Sequence, residues 1–179
     1  MKRLSNAVHA LALGVLFTMT ACGQSKEQAK STETGGKKNP YYSHTSTQKV
    51  NLTNAQWKKI LPEDVYEVSR LANTEASFTG KYWNYNGKGT YYCAACGNKL
   101  FRSDAKFASS CGWPSFFEQS SKNSIVFKSD NTFDMERTEA LCGRCGGHLG
   151  HLFDDGPEPT GKRYCMNSIA LDFEPDAKE

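Results

Sequence analysis

A chain of 179 residues with 22 basic and 19 acidic side chains, net +3, leaves room for one domain of ordinary size with a real core once its N-terminus is set aside. Charges are interspersed apart from short Lys-rich pieces near Lys37 and Lys38, which speaks against a nucleic-acid partner and supplies no argument for an acidic ligand. Aromatic residues make up 12% of a chain whose mean hydropathy is negative, so a compact β-rich core built from Phe, Tyr and Trp more than from Leu and Ile is expected.

The first residues read as an export signal. Met1-Lys2-Arg3 is a positive n-region, and Ala10 through Phe17 is an apolar stretch too short to span a bilayer. Met19-Thr20-Ala21-Cys22 resembles the cleavage box of bacterial lipoproteins, with Met where Leu is commonest and Thr before the small residue. The resemblance implies a signal peptide over 1–21, acylation of Cys22, and a membrane-anchored lipoprotein of the cell envelope facing the periplasm or the cell exterior. Gly23 would, by the same resemblance, permit sorting to an outer membrane. The alternative is an ordinary secretory signal cut nearby, with Cys22 lost or free.

Gln24 through Thr47 has almost no apolar residue, so a disordered tether is expected within a segment 22–49. Folding is expected from Val50, with a domain over 50–174 and a tail over 175–179. Thr53 caps a short helix carrying Trp57, Ile60 and Leu61, and Pro62-Glu63-Asp64 opens a second with Val65, Val68 and Leu71 on one face, ending near Thr74. From Phe78 onward, short aromatic or β-branched runs split by Gly, Asn, Asp and Pro predict strands at Gly89–Cys93, Ser124–Lys128, Thr132–Met135, Arg163–Ser168 and Ile169–Phe173.

Cysteine carries most of the chemistry. Cys93-Ala-Ala-Cys96 and Cys142-Gly-Arg-Cys145 are each followed by glycine, which allows the tight turn that aims both sulfurs at one metal, and together they offer the four thiolates of a structural Zn²⁺ site. The pairs lie farther apart in sequence than in a compact zinc ribbon, so the fold must bring them together. Two local disulfides or a redox-active pair are the alternatives, and an oxidising compartment favours them. Bound zinc opposes that by holding the thiolates with ~10–16 kcal/mol in isolated finger peptides. Cys111 and Cys165 remain as free thiols, one able to react and the other to close a disulfide.

Around these thiols stand three further features. In Arg163-Tyr164-Cys165-Met166-Asn167-Ser168, strand alternation puts Arg163, Cys165 and Asn167 on one face, where the guanidinium would favour the nucleophilic thiolate; a buried structural cysteine is the rival reading. His148 and His151, with Asp154 and Asp155 after them in a glycine-rich stretch, suit proton donation, with metal ligation and plain loop residues as alternatives. Trp113, held extended before Pro114, offers a flat apolar wall for a thioether methyl, or simply a piece of core.

Taken together these stretches resemble the methionine-R-sulfoxide reductase family, the B class of methionine sulfoxide reductases. The resemblance runs from Leu52 to Phe173 and includes Gln56-Trp57, Thr74-Glu75, Phe78 to Trp83, both knuckles, Cys111 to Phe116, Arg137-Thr138-Glu139, the His-Leu-Gly-His segment and Arg163 to Ser168. It implies a mainly β fold of two antiparallel sheets with short peripheral helices, a structural zinc remote from the chemistry, and no organic cofactor. It also implies residue roles. Cys165 would attack the sulfoxide sulfur, His148 and His151 would polarise and protonate the oxygen, and Trp113 would pack the methyl group. Arg163, Asp155 and Asn167 would tune the thiolate and hold the histidines. A sulfenic acid on Cys165 would condense with Cys111, and a thioredoxin-like protein would restore both thiols. Expected partners are oxidised proteins or peptides, that reductant and a membrane, with the chain a monomer. Two other function classes compete: a zinc-ribbon binding module, which needs only the knuckles, and a redox-sensing lipoprotein without turnover.

Overall fold

The computed structural model describes residues 39–177, so the expected signal peptide, Cys22 and the expected tether as far as residue 38 lie outside the described residues. Helix α1, Asn54–Ile60, begins as its sequence predicts: the Thr53 hydroxyl accepts the Gln56 N–H at 3.3 Å, and Gln56 Oε1 accepts the Thr53 N–H at 2.9 Å. This reciprocal box satisfies donors that a helix start leaves free. Helix α2, Glu63–Leu71, follows Pro62, with acidic Glu63 and Asp64 at its positive end and Ala72 in the left-handed conformation stopping it before Thr74. Tyr66, Val68 and Ser69 form its buried face and Val65 packs partly against the core, whereas Leu71 is 51% exposed. The expected apolar stripe therefore stops one turn early, because the helix ends as it runs past the core.

Nine strands follow among the described residues: β1 Gly89–Cys93, β2 Lys99–Arg102, β3 Lys106–Phe107, β4 Ser115–Phe116, β5 Ile125–Asp130, β6 Arg137–Cys142, β7 His148–Phe153, β8 Arg163–Met166 and β9 Leu171–Pro175. They make a three-stranded sheet ordered β2-β1-β9 and a six-stranded sheet ordered β3-β4-β8-β7-β6-β5, antiparallel throughout. The two-sheet, mainly β expectation holds. Aromatic rings join the sheets: Phe101 of β2 stacks on Phe116 of β4 with centroids 4.0 Å apart, and Tyr91 of β1 meets Phe116 edge-on at 5.0 Å. Trp57, Tyr91, Phe101, Phe116, Leu149 and Met166 are fully buried.

Local departures from the expected strands have local causes. Thr132–Asp134 is a 3₁₀ turn rather than a strand, because the Asp130 carboxylate accepts both the Thr132 N–H, at 3.1 Å, and its hydroxyl, at 2.6 Å. The expected strand over Arg163–Ser168 stops at Met166, and Ser168–Ala170 turns as a 3₁₀ helix whose first amides are taken by Glu75, Oε1 from Ser168 at 2.7 Å and Oε2 from Ile169 at 3.1 Å. The glycine-rich run His148–Phe153 is a central strand. Gly150 makes this possible, since a Cβ there would lie 2.0 Å from the Cys165 carbonyl oxygen of the adjoining strand.

The expected start of folding at Val50 is too late. Asn39–Lys49 lies against the two C-x-x-C turns: Asn39 Nδ2 donates to the Ala95 carbonyl at 2.8 Å, the Ser43 N–H to the Cys96 carbonyl at 3.0 Å, and the His44 ring stacks on Tyr92 at 3.7 Å. Its polar composition concealed this, because most of the docking uses backbone and side-chain hydrogen bonds rather than apolar burial.

Candidate active site and metal centre

Cys93 ends β1 and Cys142 ends β6, and each opens a turn closed by a glycine at positive φ, Gly97 at 76° and Gly146 at 66°. The Gly97 N–H returns to the Cys93 carbonyl at 2.7 Å and the Gly146 N–H to that of Cys142 at 2.8 Å. Through these two turns Cys93, Cys96, Cys142 and Cys145 converge, all buried, with their sulfurs within 4.8 Å of one another. Across the turns, Cys93 and Cys145 sulfurs are 3.8 Å apart and those of Cys96 and Cys142 3.6 Å. Four ligands ~2.3 Å from a central zinc stand about 3.8 Å apart, so the donor set fits a tetrahedral ion.

The second cluster is built on β4, β7 and β8. Ser115 of β4 pairs with Cys165 of β8, which brings the loop preceding β4 alongside, and Cys111 and Cys165 sulfurs face each other at 3.5 Å. Cys111 also contacts the Ser109 hydroxyl at 3.1 Å, and the Ser115 hydroxyl and Trp113 carbonyl at 3.5 Å. Burial pushes the Cys111 thiol up, but the hydrogen bonds of Ser109, Ser115, the Trp113 backbone and Cys165 outweigh it and bring it down to about 7. Cys165 goes the other way: burial, then the charge and hydrogen bond of Cys111, push it up to about 12 against the pull of Arg163. The two sulfurs share one contact across which either can donate, so the thiols titrate as a pair.

Arg163 shares the Cys165 face, as alternation predicts, with Asp155 Oδ1 and Oδ2 at 2.7 and 2.8 Å and the Phe153 ring 4.3 Å from its guanidinium. Asp155 thus holds Arg163 and makes no contact with either histidine. The histidines have other carboxylates: His148 Nδ1 lies 2.7 Å from Glu139 Oε1, and His151 Nε2 lies 2.8 Å from Asp130 Oδ2, which also accepts Arg137 at 2.7 Å. Hydrogen bonds from Thr132 and His151 keep the Asp130 carboxyl well below the usual carboxylate range. Burial lowers His148, with Glu139 pulling upward. Asn167 acts one step away, its N–H and Nδ2 both donating to the Leu149 carbonyl between the histidines, at 2.8 and 3.2 Å.

A cavity of ≈140 Å³ opens over Cys165, walled by Trp113, His151, Phe153, Gly150 and Asn167 among others. Trp113 is oriented by its indole N–H, which donates to the Glu75 carbonyl at 3.2 Å. His148 does not line this cavity. It is 4% exposed and faces the adjoining ≈510 Å³ depression with Glu139 and Asp130, so the two expected proton donors occupy unequal positions.

Residues 61–175 match the family model described as the SelR domain. The chain belongs to the SelR domain family. The peptide methionine sulfoxide reductase MsrB of Herminiimonas arsenicoxydans is 48% identical to it over 135 residues, covering 74% of this chain and 98% of that protein. The MsrB of Thiobacillus denitrificans is 52% identical over 123 residues (69% and 93%), and that of Methanosarcina barkeri 49% over 124 residues (69% and 87%).

Within this SelR domain the site depends on three carboxylates for which sequence reasoning assigned no role. Glu75 links Trp113, Asn167, whose Oδ1 accepts its N–H at 3.1 Å, and the Ser168 turn. Glu139 and Glu75 sit inside motifs that signalled the family without revealing their contacts. Asp130 precedes His151 by 21 residues, and only the β5-β6-β7 pairing brings the two together.

Proposed function

We propose that this protein reduces methionine-R-sulfoxide in peptides and proteins to methionine by a thiol mechanism. The observation that carries the reading is the pair of cysteine sulfurs 3.5 Å apart, of which Cys165 opens onto a cavity of ≈140 Å³ with His151 and Trp113 in its wall. The Cys165 proton passes to the Cys111 thiolate as substrate arrives, and the Cys165 sulfur attacks the sulfoxide sulfur. His151, fixed through Nε2 by Asp130, gives a proton to the sulfoxide oxygen. Trp113 and Phe153 supply the apolar wall against the methyl group. The protonated oxygen then moves to the Cys165 sulfur as its bond to the substrate sulfur and the bond between the two sulfurs break, so methionine leaves as the thioether and Cys165 carries the oxygen as a sulfenic acid. Cys111 then attacks that sulfur, water departs, and a Cys111–Cys165 disulfide remains. Two thiols are oxidised for one sulfoxide reduced, so a thioredoxin-like dithiol must reduce the disulfide before the next turnover.

The tetrathiolate cluster would hold a structural zinc, supported by four buried sulfurs at tetrahedral spacing away from the Cys165 cavity. Zinc there supplies cross-linking, joining the end of β1 to the end of β6. The N-terminal reading adds a signal peptide over 1–21, a lipid on Cys22 and a tether that ends before Asn39, which would present a monomeric reductase to oxidised proteins of the cell envelope; the lipobox-like Met19–Cys22 and the polar stretch after it support this. The deciding test is turnover of separated methionine sulfoxide epimers, free and in peptides, with dithiothreitol and then with a thioredoxin. Reduction of the R epimer alone is expected; reduction of neither would end the proposal.

A further inference from the structure

The segment Asn39–Val50 precedes the SelR match and is docked on the two cysteine turns, with the buried side chain of Arg144 among its anchors. Arg144 stands between Cys142 and Cys145, only 6% exposed. Its Nη1 donates to the carbonyl of Cys96, in the other turn, and to that of Ser43 at 3.2 Å; its Nε donates to the Gln48 carbonyl at 3.0 Å; and its own carbonyl accepts the Val50 N–H at 3.0 Å. Lys49 reaches the Gly143 carbonyl of the same turn. From its place in the second turn, the Arg144 guanidinium thus joins the Cys96 carbonyl of the first turn to Ser43 and Gln48 of the arm.

Neither Arg144 nor Lys49 has a carboxylate partner among the described residues. A buried guanidinium satisfied only by carbonyls is costly unless negative charge is near. Four thiolates around a divalent ion leave net negative charge in this place, which accounts for the two cations. The arm also lies against the first turn so closely that a Cβ on Gly97 would lie 2.8 Å from the Ser43 backbone. Its far side is latched to the small sheet by Tyr42, whose hydroxyl donates to Asp172 at 2.5 Å, and by His44, stacked on Tyr92 and 3.1 Å from Glu174.

We infer that Asn39–Val50 is a strap of the metal site, with Arg144 as its positioning residue, and that it slows loss of zinc and oxidation of the four thiolates. The inference rests on the zinc reading above. Opening either cysteine turn requires the Ser43 and Arg144 bonds to break, so the arm must lift before a chelator or oxidant reaches sulfur.

The test uses the full-length zinc-loaded protein and follows transfer of zinc to a chromogenic chelator, together with alkylation of the released thiols. Arg144→Met should accelerate transfer by about tenfold or more, the usual scale for partners that orient metal ligands. Tyr42→Phe combined with His44→Ala, which frees the latch without touching the cysteine turns, should give a smaller acceleration and expose the arm to limited proteolysis. Turnover of the loaded enzyme with dithiothreitol should remain, since none of these side chains borders the Cys165 cavity. Transfer rates within about twofold of the parent in the latch variant, with its arm cleaved, would overturn the strap even if Arg144→Met failed to fold. Metal analysis of the parent separates the two readings: a parent without zinc sinks the zinc assignment, whereas a parent with one zinc and unchanged release in the latch variant sinks the strap alone.

Discussion

His148 and His151 stand three positions apart on one strand and yet turn toward each other, with ring centroids 5.5 Å apart. Residues at i and i+3 of a regular strand point to opposite faces. The register of β7 against β6 resolves this: Gly150 pairs with Ala140 and His148 with Leu141, leaving Leu149 unpaired as a bulge. The bulge shifts the alternation by one, and Asn167 takes up its carbonyl. Glu139 of the adjoining β6, and Asp130 at the end of β5 beyond it, then hold one ring each.

Asp130→Asn should therefore lower the rate of sulfoxide reduction by about one to two powers of ten, within the range that general acid catalysis contributes. The fold should survive, since an amide Oδ1 can still accept the Thr132 N–H and hydroxyl that shape the turn after β5. Steady-state kinetics with dithiothreitol should show the fall in kcat more than in KM. An unchanged kcat would remove Asp130 from the positioning of His151.

Cys165→Ser should have no measurable turnover with any thiol, because a serine hydroxyl is neither ionised nor soft enough to attack sulfur. Cys111→Ser should complete one reduction and continue with dithiothreitol but not with a thioredoxin. Mass spectrometry of the parent after one equivalent of sulfoxide should find Cys111 joined to Cys165. A bond from Cys165 to Cys93 or Cys145 would contradict the 3.5 Å pairing of the resting thiols.

Thiol reactivity should follow the asymmetry of the pair. A thiol held down is a thiolate above its pKa, so alkylation of Cys111 should be half-maximal near pH 7 and fade as pH drops through that value, while Cys165 stays protonated until far higher pH. Removing Cys111 removes two of the influences that raise Cys165, leaving burial against Arg163. In Cys111→Ser the alkylation profile of Cys165 should accordingly move to lower pH. A shift upward, or none, would refute this account.

Replacing any one of Cys93, Cys96, Cys142 or Cys145 by Ser should remove the metal and destabilise the fold by on the order of 4 kcal/mol or more, roughly ten degrees in Tm for a domain of this size. Activity should fall with the folded fraction. Metal analysis beside calorimetry checks it: a metal-free variant with the parent's Tm and no activity would point to catalytic rather than structural metal.

Lipid attachment at Cys22 should appear as radiolabelled palmitate in the parent and not in Cys22→Ala, with the parent in the membrane fraction. Because cytosolic thioredoxin cannot cross that membrane, a membrane thiol transporter and a local thioredoxin-fold donor should carry the electrons. Cells lacking the transporter and exposed to oxidant should accumulate the Cys111–Cys165 disulfide. An unlabelled protein recovered in cytosol defeats the localisation, and fully reduced Cys165 defeats the relay.

Much of this was local chemistry and therefore legible in order along the chain. The Thr53–Gln56 capping box, the Gly89–Cys93 strand and the glycine after each C-x-x-C depend on neighbours a few residues away, so residue type and spacing sufficed to read them. The free Cys111 and Cys165 stood out once four cysteines were assigned to a metal, but the 3.5 Å between their sulfurs is decided by the pairing of β4 with β8. Likewise, strand pairing decides that Asp130 and Glu139, not the nearby Asp155, hold the histidines, and that Asp155 holds Arg163. The polar Asn39–Lys49 arm was read as tether because composition reports apolar burial, whereas its place is set by carbonyls it offers to Arg144 and by stacking on Tyr92. Local propensity is written in a short window, while a hydrogen bond between residues far apart in sequence exists only after the sheets have closed around the aromatic core.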